Sequence, residues 1–167
     1  MSARAGLFSR VASIRGLAVL LTIIVYGGVA TYYVMSDTSV RGLTVKMFYV
    51  SRSCTPDSGT FNRAATYNIQ TSVWSTHSLR TSLSNVQFSL AVDGTEVGTT
   101  NETGVPFDPG NSAPFILTFK DLNVDPNSLP GSPELVLSLT ATVTAGIVTA
   151  TLTRSDSLVQ NFASTSC

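Results

Sequence analysis

Charge is scarce in this chain and unevenly distributed along it. Asp, Glu, Lys and Arg make up only 12% of the residues, and no acidic residue occurs before Asp37. The exposed faces of helices normally carry many Glu, Lys and Arg side chains, so this composition argues against a helical domain. More than a quarter of the residues are Ser or Thr, which suits short β-strands with hydroxyl-bearing outer faces. The scarcity of charge therefore favours an all-β domain.

The chain also has few of the residues that common catalytic and metal sites require. His77 is the only histidine and no nucleophile-elbow motif accompanies it, so a catalytic triad is not predicted. Two cysteines alone cannot supply the four ligands of a structural zinc site. Residues 36–167 hold seven Lys or Arg against ten Asp or Glu without a basic cluster, which argues against a nucleic-acid partner. We therefore expect a non-enzymatic protein with no catalytic residue, cofactor or metal ion.

One short segment has the opening pattern of a calcium-binding loop. Asp121, Asn123 and Asp125 place side-chain oxygens at alternate positions, as calcium loops do. Pro126 stands where an EF-hand has glycine, and no closing glutamate follows at the required spacing. The sequence thus excludes an EF-hand.

The chain contains one apolar run of membrane-spanning length, residues 16–35, with no charged residue in it. Twenty helical residues span roughly 30 Å, the thickness of the hydrocarbon core of a bilayer. Arg4, Arg10 and Arg15 precede the run, and the positive-inside rule then places the N-terminus in the cytoplasm. We predict a cytoplasmic leader over residues 1–15, a transmembrane helix over residues 16–35 in contact with membrane lipid, and an extracytoplasmic domain over residues 36–167.

Two alternatives concern cleavage of this segment. Gly28 and Ala30 supply the small residues of a signal-peptidase site, but the apolar run is longer than the usual core of a signal peptide, which favours retention. Arg15-Gly16-Leu17 resembles the processing site of archaeal type IV pilin-like precursors. Cleavage after Gly16 would make the protein a filament subunit.

Alternating apolar residues dominate the chain after residue 40 and predict β-strands. The clearest run places Val86, Phe88 and Leu90 on one face, and Asp93-Gly94 then supplies the turn of a tight hairpin. Residues predicted to share one face of their strand are Val45, Met47 and Tyr49, then Tyr67, Ile69, Thr71 and Val73, then Val92 with Val86, and then Phe115, Leu117 and Phe119. Leu135, Leu137, Leu139, Ala141 and Val143 are predicted to face inward. We expect about seven strands in an antiparallel β-sandwich of the immunoglobulin or fibronectin type III kind, with Trp74 in its core.

Residues 67–123 resemble the late-embryogenesis-abundant type 2, or water-stress and hypersensitive-response (WHy), domain. The matching features are the strand ending at Trp74, the strand and hairpin turn over residues 86–94, Val97-Gly98, Pro109-Gly110 and the apolar strand over residues 115–122. Ser75-Thr76-His77-Ser78 stands where that family has an Asn-Pro-Asn-like signature. The resemblance implies a membrane-anchored β-sandwich that acts in stress protection, envelope organisation or as an accessory subunit of a membrane complex, with a protein partner.

Two covalent modifications follow from an extracytoplasmic location. Cys54 and Cys167 are the only cysteines, and in an oxidising compartment we predict that they form a disulfide. Asn101-Glu102-Thr103 is an N-glycosylation sequon, which we expect on a surface loop.

Overall fold

One long helix leads directly into a two-sheet β-sandwich in the computed structural model of this protein, which describes residues 4–58, 61–76, 78–122 and 124–162. Helix α1 spans Arg4–Arg41, and only Gly42 separates it from strand β1, Leu43–Pro56. The helix therefore crosses both predicted boundaries, since it begins within the basic leader and continues six residues beyond residue 35.

In the described part of the chain, eight antiparallel strands form the two sheets. After β1 these are β2 Arg63–Ser75, β3 Thr81–Val92, β4 Thr95–Glu102, β5 Pro106–Phe107, β6 Ser112–Asp121, β7 Glu134–Ala145 and β8 Val148–Val159, with a 3-10 turn at Pro126–Ser128. A three-stranded sheet of order β1-β2-β6 faces a five-stranded sheet of order β4-β3-β7-β8, in which short β5 also pairs with β3. The predicted all-β sandwich behind one N-terminal helix is confirmed, and its strand order is that of a fibronectin type III-like sandwich.

The core forms where the inward faces of the two sheets meet. Phe88 on β3 and Phe115 on β6 pack across the sheets with ring centroids 5.1 Å apart. Leu135, Leu137 and Leu139 on β7 are fully buried, as the alternation of β7 predicts. Asp93 and Gly94 have positive φ values of 47° and 80°, so the β3–β4 hairpin has the two-residue turn that the sequence indicates.

Strand β1 departs from the predicted alternation at one point. Its pairing with β2 shifts between Met47 and Tyr49, which is a β-bulge. An extra residue reverses the phase of the strand beyond it. The prediction that Tyr49 shares a face with Val45 and Met47 is therefore wrong, because Tyr49 is 55% exposed while Val50 is buried in the core.

The last turns of α1 are packed against the sandwich. Ser36, Ser39 and Val40 are buried, and the Ser75 hydroxyl donates to the Ser39 carbonyl at 3.0 Å. The Arg154 guanidinium on β8 donates to the carbonyls of Arg41 at 2.7 Å and Leu43 at 2.9 Å. The bonds to the Ser39 and Arg41 carbonyls satisfy backbone acceptors in the last turn of the helix, where carbonyls lack partners within the helix itself.

Strand β8 also joins the two sheets at the edge next to β1. The Asp156 carboxylate accepts a hydrogen bond of 2.8 Å from the Met47 backbone amide, at the start of the bulge. A side chain of the opposite sheet thus satisfies a backbone amide of edge strand β1, and this bond joins the two sheets on one side of the sandwich.

Candidate interaction site

The outer face of the three-stranded sheet carries large apolar side chains that the core does not use. We call Phe48, Tyr49, Trp74 and Ile116 the aromatic face. Phe48 is 61% exposed and Ile116 is 76% exposed. Tyr49 and Ile116 lie on opposite sides of Gln70 in the β1-β2-β6 register, so the four side chains extend across all three strands.

Trp74 lies on this face and not in the core, so the prediction of a buried tryptophan is wrong. Its neighbours Val73 and Ser75 are buried, and strand alternation therefore directs the indole outward. The indole is half-buried and packs on Phe48, with ring centroids 6.3 Å apart and planes inclined by 33°. Phe48 and Trp74 thus stabilise each other's position on the surface.

A groove of about 540 Å³, open to solvent, runs beside this aromatic pair. Phe48 and Trp74 line it together with Gly110 and Asn111 of the β5–β6 turn and Ser112, the first residue of β6. Gly110 has φ of 78°, which favours glycine, and the Asn111 amide donates to the Asp108 carbonyl at 3.0 Å to close the turn. The turn therefore has a defined shape.

The groove is lined by side chains of the kinds that protein interfaces use. Lys46 is the one charged side chain among the described residues that line it, and the rest are aromatic, hydroxyl, amide or glycine residues. Aromatic anchors beside polar hydrogen-bonding groups are typical of protein-binding surfaces. The arrangement can hold a partner's side chain, and the described residues that line it include no carboxylate.

The predicted glycosylation residue lies in a strand and not in a loop. Asn101 is an exposed residue near the end of edge strand β4, opposite Gln87 of β3. The sequon remains accessible there, because β4 has a neighbouring strand on one side only. Glycosylation of Asn101 stays a prediction.

In the segment over residues 121–125, which has the opening pattern of a calcium loop, Asp125 has a local structural role. The Asp125 carboxylate accepts from the Asn127 amide at 3.0 Å and so caps the 3-10 turn that follows. Asp121 is buried at the end of β6, whereas Asn123 and the single histidine, His77, lie outside the described residues. Within the described ranges, no three His, Cys, Asp or Glu residues come together as a metal-binding group.

Arg52 and Tyr67, at the end of the sandwich far from the helix, pack against Phe162, the last described residue. The Arg52 guanidinium lies 4.7 Å from the centroid of the Phe162 ring and donates to the Pro130 carbonyl at 2.9 Å. The Phe162 ring also packs edge-on against Tyr67, at 6.3 Å between centroids. Burial raises the pKa of the Tyr67 phenol, and the nearby Arg52 charge opposes that rise. The contacts of Arg52 and Tyr67 with the Phe162 ring thus hold this part of the chain against the sandwich.

Sequence reasoning missed the two charged residues that join the helix and the sheets. Arg154 and Asp156 occupy the inward phase of β8, where Leu152 and Leu158 are the apolar neighbours. Charged residues at the inward positions of an alternating strand need a partner. The sequence therefore indicates that Arg154 and Asp156 have polar partners, but it does not show which residues those partners are.

Comparisons with known proteins add little about function. The chain matches no protein-family model and no curated protein sequence at a significant level. A crystal structure of a protein from Archaeoglobus fulgidus is similar over 71% of this chain and 100% of that one, at 9% identity and a TM-score of 0.37. Spo0M, a sporulation control protein from Bacillus subtilis, is similar over 72% of this chain, at 13% identity and a TM-score of 0.42. This chain spans 49% of Spo0M, and at these TM-scores neither similarity bears on function.

The predicted disulfide joins Cys54, half-buried in β1 opposite Ala65, to Cys167, which lies outside the described residues. Phe162 packs against Arg52, two residues from Cys54, and five further residues can reach about 17 Å. We expect non-reducing mass spectrometry to find a peptide that links the two cysteines. Because the bridge closes a long loop, its reduction should lower the free energy of unfolding by about 2–5 kcal/mol.

A Cys54→Ser variant is the control for this experiment, because its stability should not respond to reductant. Alkylation of both cysteines in protein taken from membranes without reductant would contradict the disulfide.

Proposed function

We propose that this protein is a membrane-anchored, non-enzymatic β-sandwich, displayed on the extracytoplasmic side of the cell membrane, that acts by binding a protein partner. Helix α1 supports the proposal most directly. Residues 14–35 are exposed on every side, and the segment Ile14–Arg41 is long and apolar enough to cross a membrane. A helix that is apolar all round and unpacked is unfavourable in water and favourable in lipid.

The orientation of the anchor follows from charge. Arg4, Arg10 and Arg15 lie before the apolar run, and the first acidic residue, Asp37, lies after it. The positive-inside rule keeps the arginines in the cytoplasm and exports the sandwich. The WHy-like pattern then suggests roles in envelope organisation or stress protection, or as an accessory subunit of a membrane complex.

The topology is tested with a protease added to sealed, right-side-out vesicles. The protease should reach the sandwich, because all residues after α1 lie outside in the proposed orientation. Inside-out vesicles serve as the control and should protect the sandwich. Complete protection of residues beyond 40 in right-side-out vesicles would contradict the orientation.

Partner binding is assigned to the aromatic face and its groove. Exposed aromatic side chains are frequent hot spots of interfaces, and truncating a hot spot costs about 2 kcal/mol or more, roughly thirtyfold in Kd. We therefore expect Trp74→Ser to release proteins that co-purify with the wild type from mildly solubilised membranes. The direction of the indole, out of the core, means that the sandwich should remain folded.

The matched control is Thr151→Ala, an exposed residue on the outer face of the other sheet. This variant should retain the same co-purifying proteins. Equal retention by Trp74→Ser and Thr151→Ala would remove the aromatic face from the proposal.

A filament subunit is the second candidate function. Helix α1 is continuous from Arg4 through Gly16 to Arg41, so removal of the leader after Gly16 would leave an apolar helix joined to a sandwich. Such a helix could pack with copies of itself in a filament core. Sequencing of the mature N-terminus separates the candidates, because Leu17 as the first residue supports the filament and an intact leader contradicts it.

A further inference from the structure

The turn between β7 and β8 lies against the side of α1. Its two residues are Gly146 and Ile147, and the Ile147 amide donates to the Ser36 hydroxyl at 3.5 Å. A Cβ atom at Gly146 would collide with the Ser36 hydroxyl and lie 2.9 Å from the Tyr32 hydroxyl. Gly146 also has φ of 56°, so both its conformation and its surroundings favour glycine. The hairpin tip is therefore held closely against the helix.

The contact lies at the end of the apolar run. Tyr32 and Ser36 flank Met35, the last residue of the twenty that match the thickness of a hydrocarbon core. Tyrosine is enriched at the boundary between hydrocarbon and headgroups. When α1 spans a bilayer, the hairpin tip thus lies at the level of the outer headgroups.

The composition of the hairpin suits contact with lipid. Ile147 is a large apolar residue at a turn, where polar residues and glycine are usual, and it is 60% exposed. No charged residue occurs between Glu134 and Arg154, so the tip would bring no charge into the interface. An exposed apolar side chain at this level avoids water by entering the bilayer surface.

The junction fixes the position of the tip. Arg154 bonds the carbonyls at the end of α1 and Ser75 bonds the Ser39 carbonyl, so the helix and the sandwich are tied at several points. A flexible linker would let the sandwich move away from the membrane, but only Gly42 lies between α1 and β1.

We infer that the Gly146-Ile147 turn is a second membrane-contact site, at which the Ile147 side chain enters the headgroup region of the outer leaflet. The inference rests on the proposed transmembrane role of α1. The site would restrict the tilt of the sandwich and hold its three-stranded sheet in one orientation to the bilayer.

The experiment places a single tryptophan at chosen positions of the full chain. Trp74→Phe removes the native tryptophan, and Ile147→Trp or Val159→Trp is then added. Both sites are exposed apolar positions near opposite ends of β8, about 40 Å apart along the strand. In phosphatidylcholine vesicles with brominated acyl chains, we expect a loss of fluorescence at position 147 and none at position 159.

A third variant, Val25→Trp in the same background, reports insertion of the helix. Quenching at position 25 without quenching at position 147 would overturn the lipid contact and leave the anchor in place. Equal quenching at positions 147 and 159 would also overturn it, because the tip would then have no special position. An absence of quenching at position 25 would refute the transmembrane helix and the inference with it.

Discussion

The Arg154 guanidinium at the end of helix α1 is the interaction on which the arrangement of the whole chain depends. It occupies two carbonyls, of Arg41 and Leu43, where the helix changes into a strand, and its positive charge lies at the negative end of the helix dipole. A helix end with free carbonyls would be hydrated and would allow the strand to leave at many angles. With Arg154 bound there, the direction of α1 determines the direction of the sandwich.

Regular alternation explains which parts of the fold could be predicted. Strand β7 and residues 86–92 of β3 place every second residue in the core, so their faces could be assigned from the sequence alone. The bulge in β1 could not, because nothing local in the sequence shows that the adjacent aromatics Phe48 and Tyr49 both face outward. Trp74 is a different case: with Val73 facing inward, alternation already directs Trp74 outward, and the usual burial of tryptophan in sandwiches was the weaker argument.

The groove could not be predicted because it is assembled from distant parts of the chain. Its walls come from β1, the end of β2 and the β5–β6 turn, which meet only when the three-stranded sheet forms. The partners of Arg154 and Asp156 are also distant, more than a hundred residues earlier in the chain. Local alternation predicts the strands. The contacts between distant residues form only when the strands assemble into the sandwich.

The two outer faces of the sandwich offer different chemistry to a partner. On the five-stranded sheet, Thr140, Thr142 and Thr144 have their hydroxyl oxygens 3.0–3.4 Å from those of Thr153, Thr151 and Thr149, so these hydroxyls partly satisfy one another. The aromatic face differs, because much of its apolar side-chain surface remains in contact with water until another surface covers it. Trp74 pairs with Thr44, the second residue after Gly42, so this face begins close to the end of the helix. With α1 in a membrane, as proposed, a protein that covers this face lies near that membrane, which favours a membrane-associated partner over a freely diffusing one.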